Sequence, residues 1–188
     1  MHVQVLKRIF GDEATAQASV QTIQQEIERL ASMLPIAMSI CALEPRGRRA
    51  LSLRSVVESA VDEPSRKRVC IEPGSWPDVE GDERLLVLAV RQLIANALEA
   101  TGDDGSVRIA AEPAQDGTVA LTVRDSGPGF ALKNPAAVVR LMAGAKAGHT
   151  GIGLLVAQRV ARLHGGSLRF ETANGGVVRL VLPVAAPR

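Results

Sequence analysis

An acidic residue and two glycines close the alternating apolar stretch from Val119 to Val123, in the order Asp125-Ser-Gly127-Pro-Gly129. The alternation predicts a strand, and the glycines predict a tight turn directly after it. A carboxylate at the end of a strand can accept a hydrogen bond from an exocyclic amine such as that of adenine, and glycine lets a ring approach the backbone. The alternative interpretation is a tight turn with an exposed acid, and the motif alone does not decide between them.

A second glycine-rich stretch runs from Gly148 to Leu154 and leads into a helical pattern that extends to His164. The first N–H groups of a helix have no partner within it, and together with the helix dipole they favour phosphate groups. The stretch therefore predicts a cradle for a triphosphate. A dinucleotide-binding fingerprint is the competing interpretation, but that motif follows a strand directly, and residues 130–147 lack a strand pattern.

An amide-bearing helix is predicted from Glu83 to Thr101. At helical spacing Gln92, Asn96 and Glu99 share one stripe, which points away from a second, apolar stripe. The side-chain oxygen of Asn96 could hold a magnesium ion that also binds nucleotide phosphates, because magnesium takes few protein oxygens and adds phosphate and water. A solvated helix face is the alternative interpretation of this stripe.

Taken in order, these motifs resemble the GHKL (Bergerat-fold) family of ATPases and, within it, the catalytic ATP-binding domain of sensor histidine kinases. The resemblance covers about residues 51–183, and the segments Leu163-His-Gly-Gly and Gly175–Pro183 favour the kinase branch. The match is carried by Gln92-Leu-Ile-Ala-Asn96 as the N box, Asp125-Ser-Gly127-Pro-Gly129 as the first glycine box and Thr150-Gly151-Ile152-Gly153-Leu154 as the second.

The resemblance implies a fold and a set of roles. The fold is an α/β (α+β) two-layer sandwich, with a Bergerat-type mixed sheet that has helices on one face. Asp125 would bind adenine, Asn96 would hold Mg²⁺, and residues from about 131 to 147 would form a lid whose Lys146 could meet the γ-phosphate of ATP. The implied nucleotide-binding residues are Asn96, Asp125, Gly127, Gly129, Lys146, Thr150, Gly151, Ile152, Gly153 and Leu154.

Gln92 is the candidate catalytic residue. Many family members carry Asn, His or Glu at this position, which is thought to orient the attacking group or a water, whereas glutamine hydrogen-bonds but is a poor base. The family's phosphoacceptor histidine lies in a His-Glu or His-Asp motif on another helix, and none of His2, His149 and His164 stands in such a motif. His164 is instead expected to cap the C-terminus of a helix with its charge.

The N-terminal part predicts a long helix that begins near Glu13. Its apolar residues recur at steps of three and four, which is a heptad seam that needs a partner helix: Val20, Ile23, Ile27, Leu30, Leu34, Ala37 and Cys41. The seam resembles the second helix of the histidine kinase dimerisation hairpin and implies a homodimer. Because Pro45 to Arg49 reads as a basic hinge, we expect a helical dimerisation segment with its hinge at residues 1–47 and an ATP-binding domain at residues 48–188.

Composition argues against several other classes. A net charge of +2 and 2% aromatic residues favour no nucleic-acid partner. No apolar run approaches the roughly 20 residues of a membrane span, and no signal peptide is evident, so we expect a cytoplasmic protein. Cys41 and Cys70 have no metal-ligand spacing and are expected to be buried thiols.

The leading hypothesis is phosphoryl transfer from Mg-ATP to a histidine outside this chain, as part of a two-component pathway. The partners would be ATP, a second copy of the chain, and a response regulator or phosphoacceptor domain. Two alternatives stay open: an anti-sigma-factor-type serine kinase, and a non-catalytic, ATP-responsive dimeric regulator.

Overall fold

The computed structural model describes residues 13–114, 117–130 and 152–186. The chain divides into a first unit that ends at Ala42 and a second unit that begins at Leu43. In the described residues, no helix has the length and apolar character needed to cross a membrane.

The first unit contains the predicted long helix, α1 (Glu13–Cys41), which continues through Pro35. Side chains of the heptad seam are exposed along it, including Ile23 at 56%, Ile27 at 60% and Leu34 at 63%. An apolar stripe with this exposure is typical of a helix that packs against a partner.

The second unit is built on a five-stranded mixed sheet in the order β2-β4-β5-β7-β6. β2 runs parallel to β4, and the other neighbours are antiparallel. The sequence patterns of residues 106–111 with 118–124, and of residues 167–172 with 177–182, predict two antiparallel hairpins, and the structure contains both as β4–β5 and β6–β7. The strands are β2 (Val69–Ile71), β4 (Val107–Pro113), β5 (Thr118–Asp125), β6 (Ser167–Thr172) and β7 (Gly176–Pro183).

One strand was not expected from the sequence. The pattern from residue 51 predicts a helix, but residues Arg49–Ser52 form β1, which pairs antiparallel with β3 (Asp78–Gly81), and helix α2 spans only Leu53–Ala60. The pairing buries Leu51 opposite Val79. A partner strand distant in the chain thus overrides the local helical pattern.

Helices pack on one face of the large sheet. α2 packs on α3 (Glu83–Thr101), and α3 packs on α4 (Ile152–Leu163) and on the central strands. The strand positions that face these helices are buried, for example Leu121 opposite Leu180 and Val123 opposite Val178. The two-layer arrangement with a mixed sheet, expected from the resemblance, is confirmed.

None of α2, α3 and α4 covers the opposite face of the sheet, where the side chain of Arg179 on β7 contacts residues of β4, β5 and β6. Its guanidinium contacts Glu112 on β4 at 2.8 Å and Glu171 on β6 at 3.2 Å. The hydrogen bond that Arg179 donates to the carboxylate of Glu112 raises the pKa of Arg179. Beside this group lies a cavity of about 660 Å³ with a floor that includes Ala120 and Val181, and none of the predicted site residues lines it.

Both cysteines are exposed, which corrects the expectation of buried thiols. Cys70 lies on β2, at the edge of the sheet, and pairs with Arg108, whose side chain is also exposed. Because an edge strand has a neighbour on only one side, its side chains are covered less than those of a central strand.

The last turn of α3 contains no basic side chain, and Arg68, in the turn before β2, supplies a cation at this end of the helix. The guanidinium of Arg68 donates to the hydroxyl of Thr101 at 2.8 Å, to the carbonyl of Gly105 at 3.0 Å and to the carbonyl of Gly102. These bonds satisfy acceptors that the helix leaves open, and the cation suits the helix dipole.

We therefore expect Arg68→Ala to lower the free energy of unfolding by about 1–3 kcal/mol, because carbonyls at this end of α3 lose a charged donor. Urea denaturation measures the change. Arg66→Ala is the control, since Arg66 is exposed and pairs with exposed Glu63, and it should change stability by less than about 0.5 kcal/mol. Equal effects of the two substitutions would contradict the capping role.

Candidate functional site

Asp125 ends β5 on the face that the helices cover and is only 5% exposed. Its Oδ1 accepts hydrogen bonds from the backbone N–H groups of Gly127 at 2.9 Å and Gly176 at 3.0 Å. Among the described residues, no donor contacts Oδ2. The carboxylate is thus held in one orientation, and its second oxygen is available to a ligand.

Gly175 and Gly176 support this carboxylate directly. A Cβ added to Gly176 would lie 2.3 Å from Oδ2 of Asp125, and one added to Gly175, where φ is +126°, would lie 2.0 Å from the carbonyl oxygen of Asp125. From the sequence, these glycines are predicted only as a hairpin turn. The available signal was the pair of glycines after Asn174, which itself has a positive φ of 48°, so the turn contains more glycine than its geometry alone requires.

The amides of Gln92 and Asn96 lie against the first turn of α4. A Cβ on Gly153 would lie 2.6 Å from Oε1 of Gln92 and 2.9 Å from Nδ2 of Asn96. Both side chains are half-buried, so the amide stripe is not the solvent-facing surface that the helical spacing indicated. Tertiary packing of α4 covers it.

The amide of Asn96 has an unusual environment. Its Nδ2 is buried and has no hydrogen-bond partner among the described residues. The assignment of nitrogen and oxygen in an asparagine follows from its hydrogen bonds, so exchanging the two would put an acceptor oxygen in the same place. An unpartnered amide beside a glycine that leaves space fits a site where a metal ion and phosphate oxygens supply the missing contacts.

The C-terminal half of α3 brings the three motifs together. A Cβ on Gly127 would lie 2.5 Å from the carbonyl oxygen of Ala100, and Ala100 is one helical turn beyond Asn96. The turn after Asp125 therefore packs one helical turn away from the point where Gly153 meets Asn96. The acid, the amide and the glycine-led helix lie around one end of the α3–α4 pair.

The remaining predicted residues divide into two groups. Gly129 has φ +77°, a conformation that favours glycine, and Leu154 is buried in the first turn of α4, which begins at Ile152. The other calls lie outside the described residues: Lys146, Thr150, Gly151, the proposed lid at residues 131–147, His2 and His149.

His164 contacts the last turn of α4, as expected of a C-terminal cap, but it is buried and bonds through both ring nitrogens. It is 3% exposed, and its Nδ1 lies 2.8 Å from the carbonyl oxygen of Val160 in the last turn of α4. Its Nε2 accepts a hydrogen bond from the backbone N–H of Asp82 at 3.0 Å. A ring that accepts at Nε2 donates at Nδ1. With both nitrogens engaged, His164 is not an available phosphoacceptor.

The sequence of this chain is similar to a known protein family and to known proteins. A family model described as histidine kinase-, DNA gyrase B-, and HSP90-like ATPase matches residues 81–186. The sensor histidine kinase ZraS of Klebsiella oxytoca is 32% identical over 108 residues, which cover 56% of this chain and 23% of that protein. This chain thus spans about a quarter of the length of that relative.

Solved structures share the fold. A mycobacterial sensor histidine kinase, MprB, superposes with a TM-score of 0.63 at 24% identity, covering 73% of this chain and 98% of that chain. Full-length ShkA in complex with AMPPNP has a TM-score of 0.57 at 20% identity, covering 99% of this chain and 42% of that chain.

Proposed function

Because the chain belongs to the family of histidine kinase-, DNA gyrase B- and HSP90-like ATPases, we propose that it is the ATP-binding module of a two-component sensor histidine kinase. The observation that carries the proposal is the fixed carboxylate of Asp125, whose Oδ1 is occupied by two backbone N–H groups while Oδ2 receives no described donor. This oxygen would accept a hydrogen bond from the exocyclic amine of adenine.

The phosphates of the nucleotide would lie near the first turn of α4, at the same end of the α3–α4 pair. The first turn of α4 offers backbone N–H groups and the positive end of the helix dipole, and Gly153 leaves space in front of Gln92 and Asn96. In phosphoryl transfer, a protein acts mainly by positioning groups and by stabilising the charge on the phosphates. We assign Lys146, Thr150 and Gly151 to the phosphate side on the motif alone.

Asn96 is our candidate ligand for Mg²⁺, which would neutralise phosphate charge and supply electrophilic assistance to the transfer. Gln92 lies beside it and can orient an attacking group through a hydrogen bond, but it cannot remove a proton as a base. The acceptor histidine would come from outside the described residues, since His164 is buried and doubly hydrogen-bonded.

The exposed apolar seam of α1 supports a homodimer through this helix, with residues 1–47 as the dimerisation segment and hinge and residues 48–188 as the catalytic domain. A response regulator, or a phosphoacceptor domain, would receive the phosphoryl group. We place the chain in the cytoplasm, where ATP and such partners are available.

Titration of the chain with a fluorescent ATP analogue, with and without Mg²⁺, tests the proposal. We expect saturable binding that Mg²⁺ strengthens and that excess ATP competes away. Absence of binding in both conditions would refute it. Acid lability of the phosphorylated product then separates the kinase classes, because phosphohistidine is hydrolysed in acid and the phosphoserine of an anti-sigma-factor-type kinase is not. Binding without transfer to any added histidine domain would favour a non-catalytic regulator.

A further inference from the structure

The first residues of the second unit (residues 43–49, the connecting segment) contact the start of α3 and the end of α4. The backbone N–H of Arg46 donates to Oδ2 of Asp82 at 2.7 Å. The guanidinium of Arg48 donates to the carbonyl of Leu163, and Arg49 forms an ion pair with Glu83. Sequence reasoning predicts a solvated hinge here, whereas each of these residues has a partner.

Asp82 is the centre of these contacts. Its Oδ1 caps α3 by accepting from the N–H of Leu85 at 3.1 Å, as an aspartate directly before an apolar helical pattern predicts. Its own N–H donates to Nε2 of His164. Burial would raise the pKa of Asp82, but the hydrogen bonds from Arg46 and Leu85 hold it below its ordinary value. The carboxylate is thus ionised at neutral pH and fully engaged.

Gly81 lies in close contact with His164 and with Leu86 of α3. A Cβ at this position would lie 2.7 Å from Cδ2 of His164 and 2.7 Å from Cδ1 of Leu86. The imidazole is therefore seated against the backbone that leads into α3. Two helices and the connecting segment meet here with both oxygens of Asp82 and both nitrogens of His164 engaged.

This junction and the candidate nucleotide site lie at opposite ends of the same helix pair. Gly153 in the first turn of α4 meets Asn96 on the second half of α3, whereas His164 after the last turn of α4 meets Asp82 before the first turn of α3. The two helices are therefore antiparallel. The 12 residues of α4 separate the two ends by about 18 Å.

We propose that Asp82 and His164 form a latch that holds the connecting segment against the ATP-binding unit, and that a nucleotide bound at the far end of the helix pair tightens it. A ligand whose phosphates contact both Asn96 and the first turn of α4 holds the two helices in one relative position. The hydrogen bond between Asp82 and His164 depends on the same relative position of α3 and α4. The effect of the nucleotide on the latch rests on the proposed function, whereas the latch itself does not. By linkage, a closed latch strengthens nucleotide binding by the same factor.

Limited trypsin digestion of the full chain measures the latch without nucleotide, because exposed Arg46 and Arg48 are cleaved faster when the segment detaches and its backbone can enter the protease site. In Asp82→Ser, the serine still caps α3 and keeps the N–H that bonds to His164, but it no longer reaches Arg46. We expect cleavage at Arg46 and Arg48, followed by mass spectrometry, to accelerate roughly tenfold.

Glu83→Gln is the matched control, because it removes only the exposed ion pair with Arg49 and should change the cleavage rate by less than about threefold. Equal rates for wild type and Asp82→Ser would overturn the latch. If Asp82→Ser does not fold, Arg46→Pro decides the question: it deletes the donor N–H itself and leaves α3 unchanged, and unaltered cleavage at Arg48 would overturn the latch.

His164 is tested as a positioning residue by a pair of substitutions. His164→Phe fills the ring space but offers no acceptor to the N–H of residue 82, so we expect faster cleavage of the segment. His164→Gln supplies an acceptor oxygen and should restore part of the protection. Identical cleavage in both variants would assign His164 a packing role only and remove it from the latch.

The coupling is measured by adding a saturating ATP analogue. We expect cleavage of the connecting segment to slow by roughly fivefold or more in wild type, and the analogue to bind Asp82→Ser more weakly by a similar factor. Unchanged affinity in Asp82→Ser would overturn the coupling. Failure of the chain to bind nucleotide at all would refute the proposed function instead, while the difference between wild type and Asp82→Ser without nucleotide would still decide the latch.

Discussion

Asp125→Asn should weaken binding of a fluorescent ATP analogue by roughly 10- to 150-fold, the loss expected when a hydrogen bond to a charged group is removed. The amide oxygen of asparagine can still accept from the N–H groups of Gly127 and Gly176, as Oδ1 of Asp125 does. Its NH₂ group then occupies the place of Oδ2. A donor there faces the donor amine of adenine, so the contact becomes repulsive.

The substitution separates binding from folding. Because both backbone hydrogen bonds to residue 125 can persist, the ligand-free melting temperature should change by no more than a few degrees. Asp104→Asn, in the exposed turn after α3, is the matched control and should bind like wild type. Unchanged affinity in Asp125→Asn, with the fold intact, would refute the adenine assignment.

Much of the scaffold could be predicted because its signals are local. Asp82 before an apolar 3.6-residue repeat and Gly102 after it set the ends of α3. The turn Asn174-Gly175-Gly176 determines the β6–β7 hairpin, and the alternation from Val119 to Val123 determines β5. Each of these elements depends on residues within a few positions of its own ends.

The features that could not be predicted depend on partners far away in the chain. β1 forms because residues 49–52 pair with residues 78–81, and Gly176 supports a carboxylate 51 residues before it. His164 is buried where its Nε2 accepts a hydrogen bond from the N–H of Asp82, 82 residues away. Local propensity does not contain this information, since the competing term is the cost of leaving a buried donor unsatisfied.

The sequence motifs indicate which residues form the candidate site, whereas tertiary contacts set their orientation. The types and order of Asn96, Asp125 and Gly153 indicated one pocket, and the structure places their elements around one end of the α3–α4 pair. The orientation of each group comes from tertiary contacts: two N–H groups hold Asp125, and the glycine of α4 leaves the amide of Asn96 without a partner. An unpartnered buried amide is destabilising by itself, so its presence is better explained by a ligand than by folding.

Asn96→Ala should have two opposite effects: it should stabilise the ligand-free protein and weaken nucleotide binding in the presence of Mg²⁺. Removing a buried amide that has no described partner, and replacing asparagine by the best helix former, should raise the free energy of unfolding of the ligand-free protein by about 1–2 kcal/mol. The same change should abolish the increase in nucleotide affinity that Mg²⁺ produces, a loss of roughly tenfold or more for a metal ligand. Affinity in the presence of EDTA should stay close to that of wild type.

Gln92→Ala is the control, because Gln92 occupies the neighbouring position against Gly153 but is not assigned to the metal. It should keep the dependence on Mg²⁺ and slow transfer instead. Urea denaturation and analogue titration over a range of Mg²⁺ concentrations measure both quantities on the same samples. An Asn96→Ala protein that is less stable than wild type would identify the amide as a structural group, and one that retains the effect of Mg²⁺ would exclude it as the ligand. If a residue is retained for its ligand, removing it should make the ligand-free protein more stable and should weaken the binding of that ligand.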